Sequence, residues 1–317
     1  MSVRDQTTLM KAVRDYKSLL LAAITLVVFV IAVWVLHHSL AKLRLEDVLA
    51  SIKAEPFSKV AACLLFSTCS YGMLTFYDYL AVRGVRHPLP WSRVALTSFI
   101  AFAIGHSAGL SWISGGSVRY RNYSKQGLSG LEIAGVVGLV SVTFVLGIGT
   151  LLAVSLLWES RQAAHILHLD HGHHARLLGL LILVVILGYL SLTQRVKRPL
   201  KLFGREFRLP PFDITARQIA VASIDLCFAA ASLYVLLPDT TTIHFFSFVG
   251  LYVLALQSGV ASNVPGGVGV FESVLIELLP GGVTPELVSA VLLYRFIYYF
   301  IPLVLGVGLF AGREAMR

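Results

Sequence analysis

The chain has 317 residues, 56% hydrophobic and 14% charged, with a mean hydropathy of +0.78. A soluble domain carries about 45–50% apolar and about 25% charged residues, which excludes water as the solvent of most of this chain. The formal net charge is +9, but the basic residues sit in short loops between apolar blocks, so they point to anionic lipid headgroups rather than to nucleic acid.

The apolar blocks fall at 18–36, 57–80, 94–113, 133–157, 177–193, 218–237, 244–262, 268–279 and 288–311. They are near-continuous and leucine-rich, which selects helices over a barrel, whose strands would alternate. Block 18–36 has no small-residue cleavage site and is expected to be a first span. Block 94–113 is weakly apolar in its second half, with Gly105, His106, Ser107, Gly109 and Ser111. Block 268–279 is shorter than the ~20 residues a crossing needs. Cys63, Cys69 and Cys227 lie inside apolar blocks, and no disulfide frame or CxxC metal site is visible.

Lys and Arg set the expected orientation. The N-terminal arm (Arg4, Lys11, Arg14, Lys17), the loop with Arg83, Arg86 and Arg93, the segment 195–217 and the C-terminus are all expected in the cytoplasm. Three full crossings between Arg93 and Arg195 would put 195–217 outside. The conflict disappears if 94–113 is re-entrant, which also keeps Arg119, Arg121 and Lys125 inside. By the same reasoning 244–262 and 268–279 form a broken hairpin. The expected fold is an all-α polytopic membrane bundle of about eight transmembrane segments, including re-entrant or broken helices, in one domain over 1–317. Asp78 followed by Gly115-Gly116, and Asp225 followed by Pro265-Gly266-Gly267, suggest halves 1–157 and 177–317 related as an inverted repeat. Chance similarity accounts for two short glycine-rich matches equally well.

An ionisable group within an apolar block costs about 2.5–3.5 kcal/mol on insertion scales, so each needs a reason. Tyr71, Thr75 and Asp78 share one helical face, and Gln218, Asp225 and Ser232 form a seven-residue stripe that must face protein or water. Arg295, within Tyr294-Arg295-Phe296-Ile297-Tyr298-Tyr299, needs an acidic partner, Asp225 or Glu272. Buried ion pairing that only fixes packing explains these groups as an alternative to a lipid site. Glu132 suits a helix start. The run Gly115-Gly116-Ser117-Val118-Arg119-Tyr120-Arg121 offers backbone N–H groups and guanidinium forks to a phosphate, or an anchor at headgroup level. Gly115, Gly116, Pro265, Gly266 and Gly267 are the expected helix breaks.

His165, His168, His171, His173 and His174 with Asp170 look like a metal cluster, but they lie in an expected outer loop, 159–176, and read as solvated. No metal and no cofactor is expected. There is no GxSxG, Walker A, HExxH or dinucleotide fingerprint, and the absence of a P-loop argues against a self-contained ATP-driven pump.

Four stretches together carry a family resemblance: Tyr77-Asp78-Tyr79-Leu80, Ser114 to Arg121 with Tyr123-Ser124 and Gly127-Leu128-Ser129, Pro265 to Glu272, and Tyr294-Arg295 with Tyr298-Tyr299 and Pro302. They resemble the flippase part of the lysylphosphatidylglycerol synthetase/flippase family, also called multiple peptide resistance factor. The resemblance implies outward movement of aminoacylated phosphatidylglycerol in a bacterial inner membrane, both termini cytoplasmic, with lower surface negative charge and resistance to cationic antimicrobial peptides. The family's transferase lies in further helices and a soluble domain that this chain lacks, so translocation without synthesis is implied. Family functional positions correspond to Asp78, Arg119 and Asp225, the last of which is often Glu. Arg121, Glu272 and Arg295 join them as expected headgroup residues. Implied partners are anionic and aminoacylated phospholipids, with a second copy or a synthetase domain as a protein partner. A noncatalytic scaffold for a lipid synthase, or the membrane portion of a lysyltransferase, are the competing readings.

Overall fold

In a computed structural model, residues 45–108, 111–158, 160, 172–196, 200–202, 205–207 and 209–315 are described. The expected first span at 18–36 and most of the histidine-rich run lie outside the described residues.

The chain is an all-α polytopic membrane protein. Helix α1 (Leu45–Ala54) has Glu46 and Asp47 in its first turn and Lys53 in its last, which complements the helix dipole. Pro56 separates it from α2 (Phe57–Gly84), whose 28 residues extend about 42 Å. Then come α3 (Trp91–Ala108), α4 (Ser111–Tyr123), α5 (Gly130–Trp158) and α6 (Gly172–Arg195). After a two-stranded antiparallel ribbon, β1 (Leu200–Leu202) with β2 (Arg205–Phe207), follow α7 (Phe212–Tyr234), α8 (Phe245–Ala261) and α9 (Val270–Leu278). The chain closes with α10 (Pro285–Arg295), a π turn (Phe296–Phe300) and α11 (Ile301–Ala315).

Among the described residues, five stretches are long and apolar enough to cross a membrane: α2, α5, α6, α7 and Pro285–Gly312. The other apolar blocks among the described residues contribute to two hairpins. In the first, α3 and α4 pack against each other, and a Cβ on Gly115 would stand 2.9 Å from the Ala101 carbonyl oxygen. In the second, α8 packs on α9 through a 3-10 turn at Pro265–Gly267. Gly266 and Gly267 have φ of 63° and 60°, and a Cβ on Gly267 would lie 3.0 Å from Gly259 Cα, so only glycine suits this crossing. The break at Pro265-Gly266-Gly267 is therefore as expected.

Gly115 and Gly116 are not a break. Both lie inside α4, which begins at Ser111. Gly115 is there because the two limbs approach too closely for a side chain, whereas a Cβ on Gly116 would meet only Val137 of α5, at 3.8 Å. The loop expected at 159–176 also ends sooner than expected, since His173 and His174 lie in the first turn of α6 as helical residues.

Glu132 closes a capping box at the start of α5. Its carboxylate accepts the Ser129 N–H and hydroxyl at 2.7 Å, and Ser129 Oγ accepts the Glu132 N–H at 3.3 Å. The π turn has a similarly local cause. Pro302 has no N–H to give to the carbonyl four residues back, and the helix widens just before it. The interior is built on α2 against α7, with α3, α5, α8 and the π turn packed around that pair.

Candidate functional site

Asp78 and Asp225 sit on the two central helices, α2 and α7, and both are buried, at 0% and 3% exposure. Asp78 meets Arg119 fork to fork: Nε donates to Oδ1 at 2.8 Å and Nη2 to Oδ2 at 2.7 Å. Tyr123 donates its hydroxyl to Oδ1 and Ser98 donates to Oδ2, each at 2.9 Å. The bidentate pair is the strong form of such a contact. Arg119 is 3% exposed and stacks over the Phe102 ring, 4.7 Å from its centroid. Hairpin α3–α4 is thus tied to α2 by one ion pair at the hairpin's base.

Asp225 has a different shell. Ser70 donates to Oδ1 at 2.5 Å and Tyr77 to Oδ2 at 2.9 Å, both from α2. The Tyr298 hydroxyl from the π turn is 2.8 Å from Ser70 Oγ. The π turn accounts for that reach, because an extra residue in the turn re-aims Tyr298 and Tyr299 toward the interior. The rest of the expected stripe on α7 faces protein: Gln218 donates to Thr143 Oγ1 at 2.8 Å, and Ser232 bonds its own helix at Ala229. On α2, Thr75 likewise bonds its own helix at Gly72, while Tyr71 donates to the Tyr298 carbonyl at 3.3 Å.

Arg295 pairs with Glu272, not Asp225. It also donates to the Gly266 carbonyl at 2.6 Å, and Glu272 accepts the Gly269 N–H at 2.8 Å. This pair satisfies the backbone that the second hairpin leaves open, as irregular backbone at membrane depth requires. Arg121 lies outside this interior, with its guanidinium 5.4 Å from the Phe310 ring centroid.

A cavity of about 340 Å³ lies between the two hairpins. Arg119 and Asp225 are on its walls; Asp78, Glu272, Arg295 and Arg121 are not. Sequence reasoning counted these six together, and the structure divides them into two wall groups, two that hold a wall group or a turn through an ion pair, one further turn partner, and one peripheral cation. His106 also lines the cavity, stacked on Tyr298 at 14° with centroids 6.4 Å apart, and its Nδ1 is buried without a hydrogen-bond partner. Its signal in the sequence was the one that marked Asp78: an ionisable side chain within an apolar block.

The cavity opens sideways between α5 and α8. The two helices are in close contact where Gly250 meets Ser155, and the cavity separates them where Ser141, Val145, Gln257 and Val260 are exposed. A guanidinium and a carboxylate therefore stand within reach of whatever enters from the apolar flank. Among the described residues no group of three or more metal-ligating side chains occurs.

No family model matches the chain. It is 33% identical over 284 residues to the uncharacterized protein slr0712 of Synechocystis sp., covering 89% of this chain and 88% of that protein. It is 31% identical over 245 residues to the inner membrane protein YbhN of Escherichia coli, covering 75% and 74%. It is also 26% identical over 293 residues to the phosphatidylglycerol lysyltransferase of Staphylococcus haemolyticus. That match takes in 88% of this chain but only 32% of the transferase, so the chain spans about a third of the transferase's length.

Proposed function

The chain belongs to the family of slr0712 and YbhN, with the phosphatidylglycerol lysyltransferases as more distant relatives, and from that premise we propose that it moves aminoacylated phosphatidylglycerol across the bilayer. The membrane is the bacterial inner membrane, as for YbhN, and both chain termini lie in the cytoplasm. The lipid goes from the inner to the outer leaflet, which lowers the negative surface charge and weakens attachment of cationic antimicrobial peptides. Lysyl-phosphatidylglycerol is the preferred cargo, because lysyl transfer to phosphatidylglycerol is what the distant relatives are named for.

One observation carries this reading: the cavity presents a cation and an anion on its walls and opens laterally between α5 and α8. A lysylated headgroup has a phosphate and two ammonium groups, so its path needs both signs. Arg119 is the phosphate group's partner. Asp78 occupies two of the five N–H donors of a guanidinium, and the phosphate takes others. Asp225 receives an ammonium. Asp78 is a positioning residue, holding the Arg119 guanidinium at the wall. The acyl chains stay in lipid and the headgroup crosses through the opening. A noncatalytic scaffold has no use for a charged cavity open to lipid.

The test is a leaflet assay in liposomes containing the full chain and acyl-labelled lysyl-phosphatidylglycerol. Movement of the label between leaflets above the protein-free rate, lost in Arg119→Ala, is the expected result. Equal rates with and without protein would overturn the reading.

A further inference from the structure

Three carboxylates are buried around the cavity, and their partners differ. Asp78 has Arg119 and Glu272 has Arg295. Asp225 has hydroxyls only: Ser70 at 2.5 Å, Tyr77 at 2.9 Å, and Tyr298 behind Ser70 at 2.8 Å. Among the described residues no basic side chain forms an ion pair with it. A carboxylate kept out of water needs a cation, and here the protein supplies none.

The groups that face Asp225 do not change this. Tyr71 and Tyr77 come from α2, Tyr252 from α8 and Tyr298 from the π turn, while Cys227 is on α7 itself. His106 on α3 and Arg119 on α4 share the cavity from the hairpin side. Helix α5 contributes Val140, Ser141 and Phe144, none of which titrates.

We propose that Asp225 alternates between the lipid's ammonium and a proton, so that each lipid carried outward is exchanged for one proton carried inward. The inference rests on the lipid-transport reading and adds its energy source. At the outer side the ammonium leaves the carboxylate. A hydronium ion then transfers its proton along the Tyr298–Ser70 hydroxyl pair, an O–H bond forms on Asp225 and water is released. At the inner side that O–H bond breaks, the proton passes to water, and the carboxylate takes the next ammonium. Nothing is oxidised or reduced. The lysylated lipid carries one net positive charge, so the exchange moves equal charge in both directions. It therefore responds to a pH difference and not to membrane potential.

The experiment uses the full chain in vesicles of phosphatidylethanolamine and phosphatidylglycerol with acyl-labelled lysyl-phosphatidylglycerol and an entrapped pH-sensitive dye. Protons directed into the vesicle are expected to drive label to the outer leaflet and to acidify the lumen in step. The leaflet ratio should approach about tenfold per unit of pH difference, the limit for one-for-one exchange. A potassium diffusion potential at equal pH should leave the ratio unchanged. Asp225→Asn should lose both the dye signal and the gradient dependence, while Asp225→Glu keeps them. The wild-type measurements stand without either variant. A ratio indifferent to the pH gradient while label still moves, or one that follows the potential, overturns the exchange and leaves the transport reading in place. No movement under any gradient overturns the transport reading instead.

Discussion

Tyr77 donates its hydroxyl to Asp225 across 2.9 Å, while its neighbour Asp78 holds Arg119 at 2.7 and 2.8 Å. Two consecutive residues of α2 thus serve the two charged walls of one cavity. Any shift of α2 against α7 or against hairpin α3–α4 must alter both walls together.

Removing one hydroxyl from the Asp225 shell is the mildest test of that coupling. Tyr77→Phe leaves the ring against Phe102 and deletes a donor to a buried carboxylate. The expected cost is about 1–3 kcal/mol, read as a lower thermal midpoint in detergent. Transport of lysyl-phosphatidylglycerol should fall in parallel. An unchanged midpoint with unchanged transport would remove Tyr77 from the site.

The ion pair predicts non-additive variants. Asp78→Asn or Arg119→Ala alone leaves one buried partner unmatched, a loss of roughly 3–5 kcal/mol. Replacing both, as Asp78→Leu with Arg119→Met, should recover much of that stability but no transport. Recovery of transport in the double variant would reduce the pair to a packing device.

Headgroup selectivity separates the walls. Asp225→Asn is expected to slow lysyl-phosphatidylglycerol more than unmodified phosphatidylglycerol, and Arg119→Ala to impair both. Leaflet assays with each lipid decide this; equal effects of both variants on both lipids would refute the division of roles.

The second hairpin depends on its turn. In Gly267→Ala a side chain enters 3.0 Å from Gly259 Cα at a φ of 60°, so the α8–α9 crossing must open. A left-handed conformation costs a residue with a side chain about 1–2 kcal/mol. Lower detergent stability is expected, more than for Gly72→Ala, where nothing lies within 4 Å.

Orientation is open to labelling. Single cysteines at Lys125 and Arg205, in a background without Cys63, Cys69 and Cys227, should react with impermeant reagents only when the cytoplasmic face is accessible. Labelling from outside at either site would refute the orientation.

Much of this was legible in the chain. Apolar length located the described helices from α2 onward except α4, whose polar sequence past residue 113 read as a loop broken at Gly115 and Gly116. The turn at Pro265-Gly266-Gly267 was legible because proline and paired glycines have few other uses inside an apolar run. Gly115-Gly116 misled for the same reason: a glycine that permits close helix packing and a glycine that ends a helix look alike in one dimension. The partner of Arg295 was narrowed to two carboxylates, but choosing between them needed the fold. The grouping of Tyr298, Ser70 and Asp225 comes from three elements far apart in sequence, joined through a π turn that only Pro302 hinted at.

The Arg295 contacts carry a consequence for biogenesis. Gly266 leaves the ribosome 29 residues before the arginine that binds its carbonyl, and Glu272 leaves 23 residues before it. Until α10 is made, the nascent hairpin holds an unmatched carboxylate and open carbonyls that hydrocarbon cannot accept. The α8–α9 unit must therefore wait at the headgroup layer or in the insertion machinery, and settle only as α10 arrives. A nascent chain arrested short of Arg295 should keep this hairpin accessible to aqueous reagents, and a longer one should protect it.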